Sequence, residues 1–352
     1  MFSRIISEEN FADAYRKTQR GRPKFSPGAI RFSSNETQNL EILRRQVSSG
    51  SYQPQEYVCF SVFEPKERII YAPQYRDKIV QHAVNNVLRD FYEPRFIHDS
   101  YACIRGKGNH RAVLAVQRHF RRAWLNYQTP WIVKADVQKF FYSLDRRVVK
   151  AIVRRKLTCP RTLALVDVII DSSPHDMGLP LGNLTSQLLA NVFMNELDQY
   201  IKRTLKVRHY VRYADDLVIA TDGKAQAGDI LACIRAFGRD VLRIVFPDRK
   251  CFIRPLRARD GVETLGYRIT PTRIGLTSAA RSRLLHRLRV FDRLLGSFRI
   301  TPTEVVRSLT SWYSYASLAS CQHFVERACW RTRHIRFAYQ RFHARLPCSA
   351  TT

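Results

Sequence analysis

Residues 209–220 read HYVRYADDLVIA and set two adjacent aspartates, Asp215 and Asp216, between two apolar runs. Val211 and Tyr213 lead in, and Leu217, Val218 and Ile219 lead out, so the stretch predicts a buried β-hairpin with its charges at the centre. Adjacent carboxylates repel, and desolvating one costs several kcal/mol (roughly) unless a cation compensates. Taken alone, Ala-Asp-Asp also suits an exposed turn between strands, where Asp is common.

Bulk properties narrow the choice. The 352 residues (41.1 kDa) suffice for one large domain or two to three small ones. With 45% hydrophobic and 11% aromatic residues the composition is globular. Charge is the unusual quantity: 59 Lys+Arg against 30 Asp+Glu give +29 and a pI near 10.3. Nucleic acid is the default partner of such a chain and an anionic membrane surface the second. No apolar run approaches the roughly 20 residues of a spanning helix, so no membrane role is expected. The opening MFSRIISEEN has no signal-peptide hydrophobic region, which gives the expectation of a cytoplasmic protein. Eight cysteines (59, 103, 159, 233, 251, 321, 329 and 348) lack CxxC or zinc-ligand spacing and read as small buried hydrophobes in a reducing compartment. His110, His175 and His323 likewise lack ligand spacing.

Residues 18–36, rich in Gly, Pro, Ser and charge, read as a loop or mobile arm. NLEILRRQVSSG predicts a short helix ended by Gly50. EYVCFSVFEPKERIIYAP predicts a hairpin, and YRDKIVQHAVNNVLRDFYE has helical spacing at Ile79, Val80, Ala83, Val84, Val87 and Leu88. WIVKAD predicts a buried strand ending at Asp136. Helices are expected near 146–157, 161–171, 184–204 and 225–243, with a strand pair around TLGYRITP. Strands alternating with helices and antiparallel hairpins indicate an α+β sheet domain with helices on one face. From residue 271 the chain reads as helical and holds fourteen Arg, no Lys, and only Asp292, Glu304 and Glu326 as acids. In RSRLLHRLRVFDRLL, Leu284, Leu285, Leu288 and Phe291 share a face. A charged helix face is ordinarily just solvated, but this imbalance points to a surface that tracks phosphates, with Arg281, Arg283, Arg287 and Arg289 foremost.

Paired carboxylates stop repelling when divalent cations join them, and Mg²⁺ favours hard oxygen ligands plus substrate phosphates. Two-metal phosphoryl transfer sets the ions about 3.5–4 Å apart, so a further carboxylate must arrive from another strand. Asp136 is the candidate, although alone it could be a helix N-cap.

These residues resemble a reverse transcriptase. RIIYAPQYRDKIVQHAV and YACIRGKGNHRAV are similar to the two fingers blocks and VKADVQKFFYSLD to the first carboxylate motif. GLPLGNLTSQLLANVFMNELD resembles the palm helix motif, YADD the metal hairpin, FPDRKCFI the lysine motif and TLGYRIT the primer-grip hairpin. The motifs run in order over about residues 40–270. The resemblance implies a right-hand polymerase: an N-terminal arm (1–39), fingers (40–129), a palm (130–270) with an antiparallel sheet, and a basic all-α thumb (271–352). It implies two Mg²⁺ ions, with Mn²⁺ as a possible substitute, on Asp136 and Asp215, with Asp216 tuning the site or touching one ion. Phe141 matches the steric gate against a ribose 2′-OH, a reading favoured over that of a core aromatic beside Phe140. Lys250 resembles the lysine that helps protonate pyrophosphate, against a merely solvated lysine. Arg105 could hold the triphosphate as a planar fork, with Lys107 adding charge and Arg68 a further contact. Gly182 would let nucleotide or template lie against backbone beside Leu181 and Gln187, and Leu265, Gly266 and Tyr267 suit a primer grip.

Within the family, Leu181-Gly182-Asn183-Leu184-Thr185-Ser186-Gln187 is similar to the enzymes of diversity-generating retroelements, whereas group II intron and retron enzymes usually read Gln-Gly with Ser-Pro there. That resemblance implies error-prone copying of a template-repeat RNA, with errors opposite adenine, from a cDNA or RNA primer and dNTPs. It also implies a small, basic, pentameric accessory variability protein as partner. The alternatives are a retron, intron-derived or abortive-infection (antiphage) polymerase, or a catalytically silent RNA-binding scaffold.

Overall fold

The computed structural model describes residues 1–20, 25–63 and 67–343. The chain divides into two compact units: residues 1–108, 133–219 and 228–252, and residues 109–132, 220–227 and 253 onwards.

The first unit opens with helices α1 (Phe2–Ile5), α2 (Glu8–Thr18), α3 (Pro27–Ser33) and α4 (Glu36–Ser49). Residues 18–36 are therefore no arm throughout. The Ser26 side chain accepts from the Ala29 N–H and Pro27 sits in the first turn, so the Ser-Pro pair that reads as loop composition is a helix start. Residues 21–24 lie outside the described residues. Gly50 ends α4 in the left-handed conformation at φ +80°, as the sequence predicts.

Strands β1 (Val58–Val62) and β2 (Arg68–Ala72) pair antiparallel, Val58 opposite Ala72; of the expected EPKE connection, residues 64–66 lie outside the described residues. Helix α5 (Tyr75–Tyr92) buries all six apolar positions of its predicted stripe. The N-terminal helices pack on it, the Asn10 amide donating to the Ile5 and Ala83 carbonyls at 2.9 and 3.0 Å. Helix α6 (Asn109–Asn126) belongs to the second unit.

There follow β3 (Pro130–Asp136), α7 (Phe140–Ser143), α8 (Arg146–Arg154), α9 (Pro160–Asp171) and α10 (Leu184–Gln199), which continues as a wider turn to Thr204. Then come β4 (His209–Tyr213), β5 (Asp216–Asp222), α11 (Lys224–Phe237) and β6 (Phe252–Pro255). The four strands form one sheet in the order β4-β5-β3-β6, so the strand ending in Asp136 neighbours the strand that Asp216 starts.

Helix α10 lies behind the hairpin and is buried over most of its surface, Leu188, Leu189, Val192, Phe193, Met194 and Leu197 included. Asn191 and Asp198, seven residues apart and thus on one helix face, are buried too. They receive Arg212 of β4. Both Arg212 and Asp198 side chains are at 0% exposure, and the pairing is a fork: Nε to Oδ1 at 2.8 Å and Nη2 to Oδ2 at 2.7 Å. The remaining guanidinium nitrogen donates to Asn191 Oδ1 (3.1 Å) and to the Ala214 carbonyl (3.0 Å), and the Tyr210 hydroxyl donates to Asp198 at 2.6 Å.

In the second unit, β7 (Val262–Thr264), β8 (Tyr267–Ile269) and β9 (Ile274–Leu276) form an antiparallel sheet, one strand more than the expected pair. Leu265 (φ +54°) and Gly266 (φ +84°) make the two-residue link between β7 and β8, both in the positive-φ conformation that such links require. Helices α12 (Ser278–Gly296), α13 (Pro302–Ser317), α14 (Gln322–Trp330) and α15 (Ile335–His343) complete the unit, so the described tail is helical from Ser278, while β9 corrects the expectation of helix from residue 271. In α12 the buried line is Ala280, Leu284 and Leu288, spaced by four; Leu285 is off that line and 37% exposed.

The seven described cysteines are free thiols, and the expectation of burial is corrected. Only Cys329 is buried; Cys59 sits on the exposed strand β1 and Cys103 in a loop at φ +54°. Cys348 lies outside the described residues. Among the described residues, no helix is long and apolar enough to cross a membrane.

Removing one partner of a buried ion pair leaves an uncompensated charge, typically at a cost of about 3–5 kcal/mol. Arg212→Met is thus expected to lose about that much in urea unfolding, and Arg212→Met with Asp198→Leu to recover a large part of it. A single variant as stable as the parent would show that the pair does not support the hairpin.

Candidate active site

The hairpin turn consists of Ala214 and Asp215, between Tyr213 at the end of β4 and Asp216 at the start of β5. Ala214 has φ +54°, a left-handed conformation that costs a non-glycine residue about 1–2 kcal/mol. The Arg212 hydrogen bond to the Ala214 carbonyl holds that conformation from below. The turn thereby presents Asp215 at the end of the sheet beside Asp136.

Electrostatics confirm the crowding. Burial pushes the Asp215 carboxyl up to about 6, and repulsion from Asp136 and Asp216 adds to it, while Lys250 works in the opposite direction. Two lysines already answer the carboxylates. Lys250 donates from its ammonium to Asp136 and, at 2.8 Å, to the Val137 carbonyl. Lys134 lies 3.2 Å from Asp216, both largely buried. Lys134 escapes the motif-by-motif reading, although its position two residues before Asp136 on a strand places both on one face.

The donor set fits a hard divalent cation: oxygen-only ligands, one of them held at a raised proton affinity by burial and by like charges. Among the described residues no three His, Cys, Asp or Glu side chains converge into a group that could hold an ion alone. A Mg²⁺ site built from one or two carboxylates and substrate phosphates needs no such cage.

The other expected residues fall into three groups. Beside the carboxylates lies α7, with Phe141 half-buried and its ring 5.3 Å from that of Phe140. The Phe141 carbonyl accepts from Leu179 N–H at 2.8 Å, which ties α7 to the segment before α10. In that segment the Leu181 carbonyl accepts from the Tyr71 N–H (2.9 Å), and Gly182, at φ +134°, passes so close that a Cβ would stand 2.5 Å from the Tyr71 oxygen. Leu181 and Gly182 thus dock on β2, which also carries the exposed Arg68, while Gln187 is exposed on α10. Gln81 of α5 accepts from the Leu184 N–H at 3.1 Å and holds the start of α10.

A second group points elsewhere. Arg105 pairs with Asp90 at 2.7 Å, beside Arg4. Lys107 donates to the Ser100 carbonyl at 2.9 Å, bracing the loop whose Tyr101 N–H donates to Arg212 O in β4.

The third group is in the second unit. Tyr267 is fully buried and donates to the Tyr315 carbonyl (2.8 Å), so of the expected grip only Leu265 and Gly266 reach the surface. Arg281, Arg283 and Arg289 are exposed on α12, and Arg287 is half-buried.

The site is thus a strand-end carboxylate beside a two-aspartate hairpin, with lysines alongside. The profile of the reverse transcriptase (RNA-dependent DNA polymerase) family matches residues 64–269, and the chain belongs to that family. It is 27% identical over 314 residues to Protein YkfC of Escherichia coli (strain K12), covering 75% of this chain and 81% of that one. The retron Ec73 reverse transcriptase of Escherichia coli is 26% identical over 54% of this chain and 59% of its own length. The group II intron-encoded protein LtrA of Lactococcus lactis subsp. cremoris is 23% identical over 47% of this chain and 28% of its own length.

The Asp215 shift has a measurable sign. An unfolded aspartate titrates near 3.9, the folded one at about 6, so the ionised form is disfavoured by roughly 3 kcal/mol. Stability from this group is complete below about pH 4 and lost as pH rises through 6. Asp215→Asn is therefore expected to match the parent near pH 4 in EDTA and to exceed it increasingly up to pH 6–7, by denaturant unfolding. Added Mg²⁺ should close the gap; a pH-independent gap would contradict the crowding.

Proposed function

We propose that the protein copies an RNA template into DNA by divalent-metal-assisted nucleotidyl transfer. The observation that carries this reading is the crowded trio Asp136, Asp215 and Asp216, with Asp215 held at about 6. Mg²⁺ bound there would neutralise phosphate charge and favour ionisation of the primer hydroxyl. The chain's own residues supply the rest. Asp136 and Asp215 hold the metals and Asp216 tunes them. Phe141 checks the sugar, and Lys250 donates a proton to the leaving pyrophosphate. Residues 40–129, 130–270 and 271–352 serve as fingers, palm and thumb, and Arg281, Arg283, Arg287 and Arg289 follow the nucleic-acid backbone. Template RNA, a cDNA or RNA primer and dNTPs are the substrates.

Two finer readings are each supported by a specific observation. The similarity to a retron enzyme and to an intron-encoded protein favours a polymerase of that broad type. The LGNLTSQ segment favours mutagenic copying in a diversity-generating retroelement, with an accessory variability protein. Leu181 stands where Gln is usual. It lacks an amide whose hydrogen bond is worth about 0.5–1.5 kcal/mol, up to roughly tenfold in discrimination.

Primer extension on an RNA template with Mg²⁺ tests the main proposal. Asp136→Asn and Asp215→Asn should each abolish synthesis and leave RNA binding within a few-fold; full activity in both would refute it, and a silent scaffold would give no product with the parent. Sequencing the cDNA then separates the finer readings. Excess errors opposite adenine that Leu181→Gln lowers favour mutagenic copying; an identical, accurate spectrum favours the retron or intron type.

A further inference from the structure

Helix α6 contains Arg111, Arg118, Arg121 and Arg122, two histidines, and no acid. Its inner face (Ala112, Val113, Val116, Phe120 and Ala123) is buried in the second unit, so its outer face is fixed to a rigid support. On that outer face Arg118, Arg121 and Arg122 are exposed and make no ion pair among the described residues. Beside them two large apolar side chains also face solvent, Trp124 at 40% and Leu125 at 66% exposure. A cleft of about 600 Å³ joins Gln117, Arg118, Arg121 and Trp124 to the Pro271–Thr272 turn. The Thr272 hydroxyl is fixed by donating to the Ala258 carbonyl at 3.0 Å, so that wall is built rather than loose.

We propose that this cleft is a second, non-catalytic site for single-stranded RNA. Successive positions 118, 121 and 124 lie on one side of the helix, each about 4.5 Å further along the axis. They offer two unpaired guanidinium forks for phosphates and then an indole for a base. Charge followed by an exposed ring is the combination that binds single strands, whose unstacked bases present free faces. Paired bases offer no such face to Trp124, so duplex is the poorer ligand. An acidic peptide would satisfy the arginines and leave the indole without a role. The site is in the second unit, whereas Asp136, Asp215 and Asp216 are in the first.

The test uses the full chain in EDTA, so that polymerisation does not intrude, and a fluorescent ten-nucleotide RNA followed by anisotropy. Arg118→Gln with Arg121→Gln, and separately Trp124→Ala, should each weaken binding about tenfold. The double arginine variant should also flatten the log–log salt dependence by about 0.7 per arginine. Trp124→Phe, which keeps a ring, should remain within about twofold of the parent, and urea midpoints should not move. A 4-thiouridine-substituted RNA should crosslink to the peptide containing Trp124. Unchanged affinity with crosslinks only elsewhere, equal loss in the Ala and Phe variants, or a poly-glutamate peptide that competes as well as RNA would each overturn the proposal. Loss of synthesis in Asp136→Asn is scored in a separate assay, so failure of this site and failure of the polymerase reading are distinguishable.

Discussion

The Arg212–Asp198 pair is the constraint on which the site depends. A guanidinium and a carboxylate at zero exposure are affordable only when every donor and acceptor is used. Here the fork pairs with Asp198, the last nitrogen reaches Asn191 and the Ala214 carbonyl, and Tyr210 completes the carboxylate shell. Those bonds run from Asn191 in the middle and Asp198 near the end of α10 to the turn that carries Asp215. The hairpin is therefore fixed by a helix packed behind it, and the left-handed Ala214 is held by contacts rather than by its own preference.

A second set of main-chain contacts fixes the side of the site. Gly182 must be glycine because its Cα passes over the Tyr71 oxygen, where a Cβ would stand 2.5 Å away. The neighbouring Leu181 carbonyl takes the Tyr71 N–H. The segment before α10 is thus held to β2 at one end and, through Leu179, to the Phe141 carbonyl at the other. Side chains at 141 and 181 are placed by backbone bonds that no single motif displays.

This explains what could be read from the chain. Hydrophobic periodicity determines which segments are strands and helices, so α5, β3 and the YADD hairpin were legible from Ile79–Leu88, Trp131–Val133 and the runs around Asp215. Carboxylates at strand ends were legible too, because few other chemistries need adjacent aspartates in an apolar frame. Arg212 was hidden, since an arginine in a strongly basic chain gives no sign of burial. Its partner left a trace: Asn191 and Asp198 are polar residues seven apart in an otherwise apolar helix. Tyr267 was misleading for the opposite reason, a hairpin residue that turns inward and bonds to Tyr315. The second unit's third strand, Ile274–Leu276, is as long as β7 and β8 and was missed because it lies in the stretch from residue 271 that reads as helical.

The lysines show how the charges are balanced. Three carboxylates in one partly buried place would strongly repel, yet Asp136 and Asp216 each face an ammonium, from Lys250 and Lys134. Among the described residues no lysine pairs with Asp215, on which Lys250 acts only from a distance, and it is the one whose carboxyl is pushed up to about 6. The protein thus neutralises two of three charges internally and leaves the third, on the strained turn, as the position where added positive charge gains most. Arg212 cannot fill that role because its fork is committed to Asp198. The same residue therefore shapes the turn on which Asp215 stands while its hydrogen bonds go to Asp198, Asn191 and the Ala214 carbonyl.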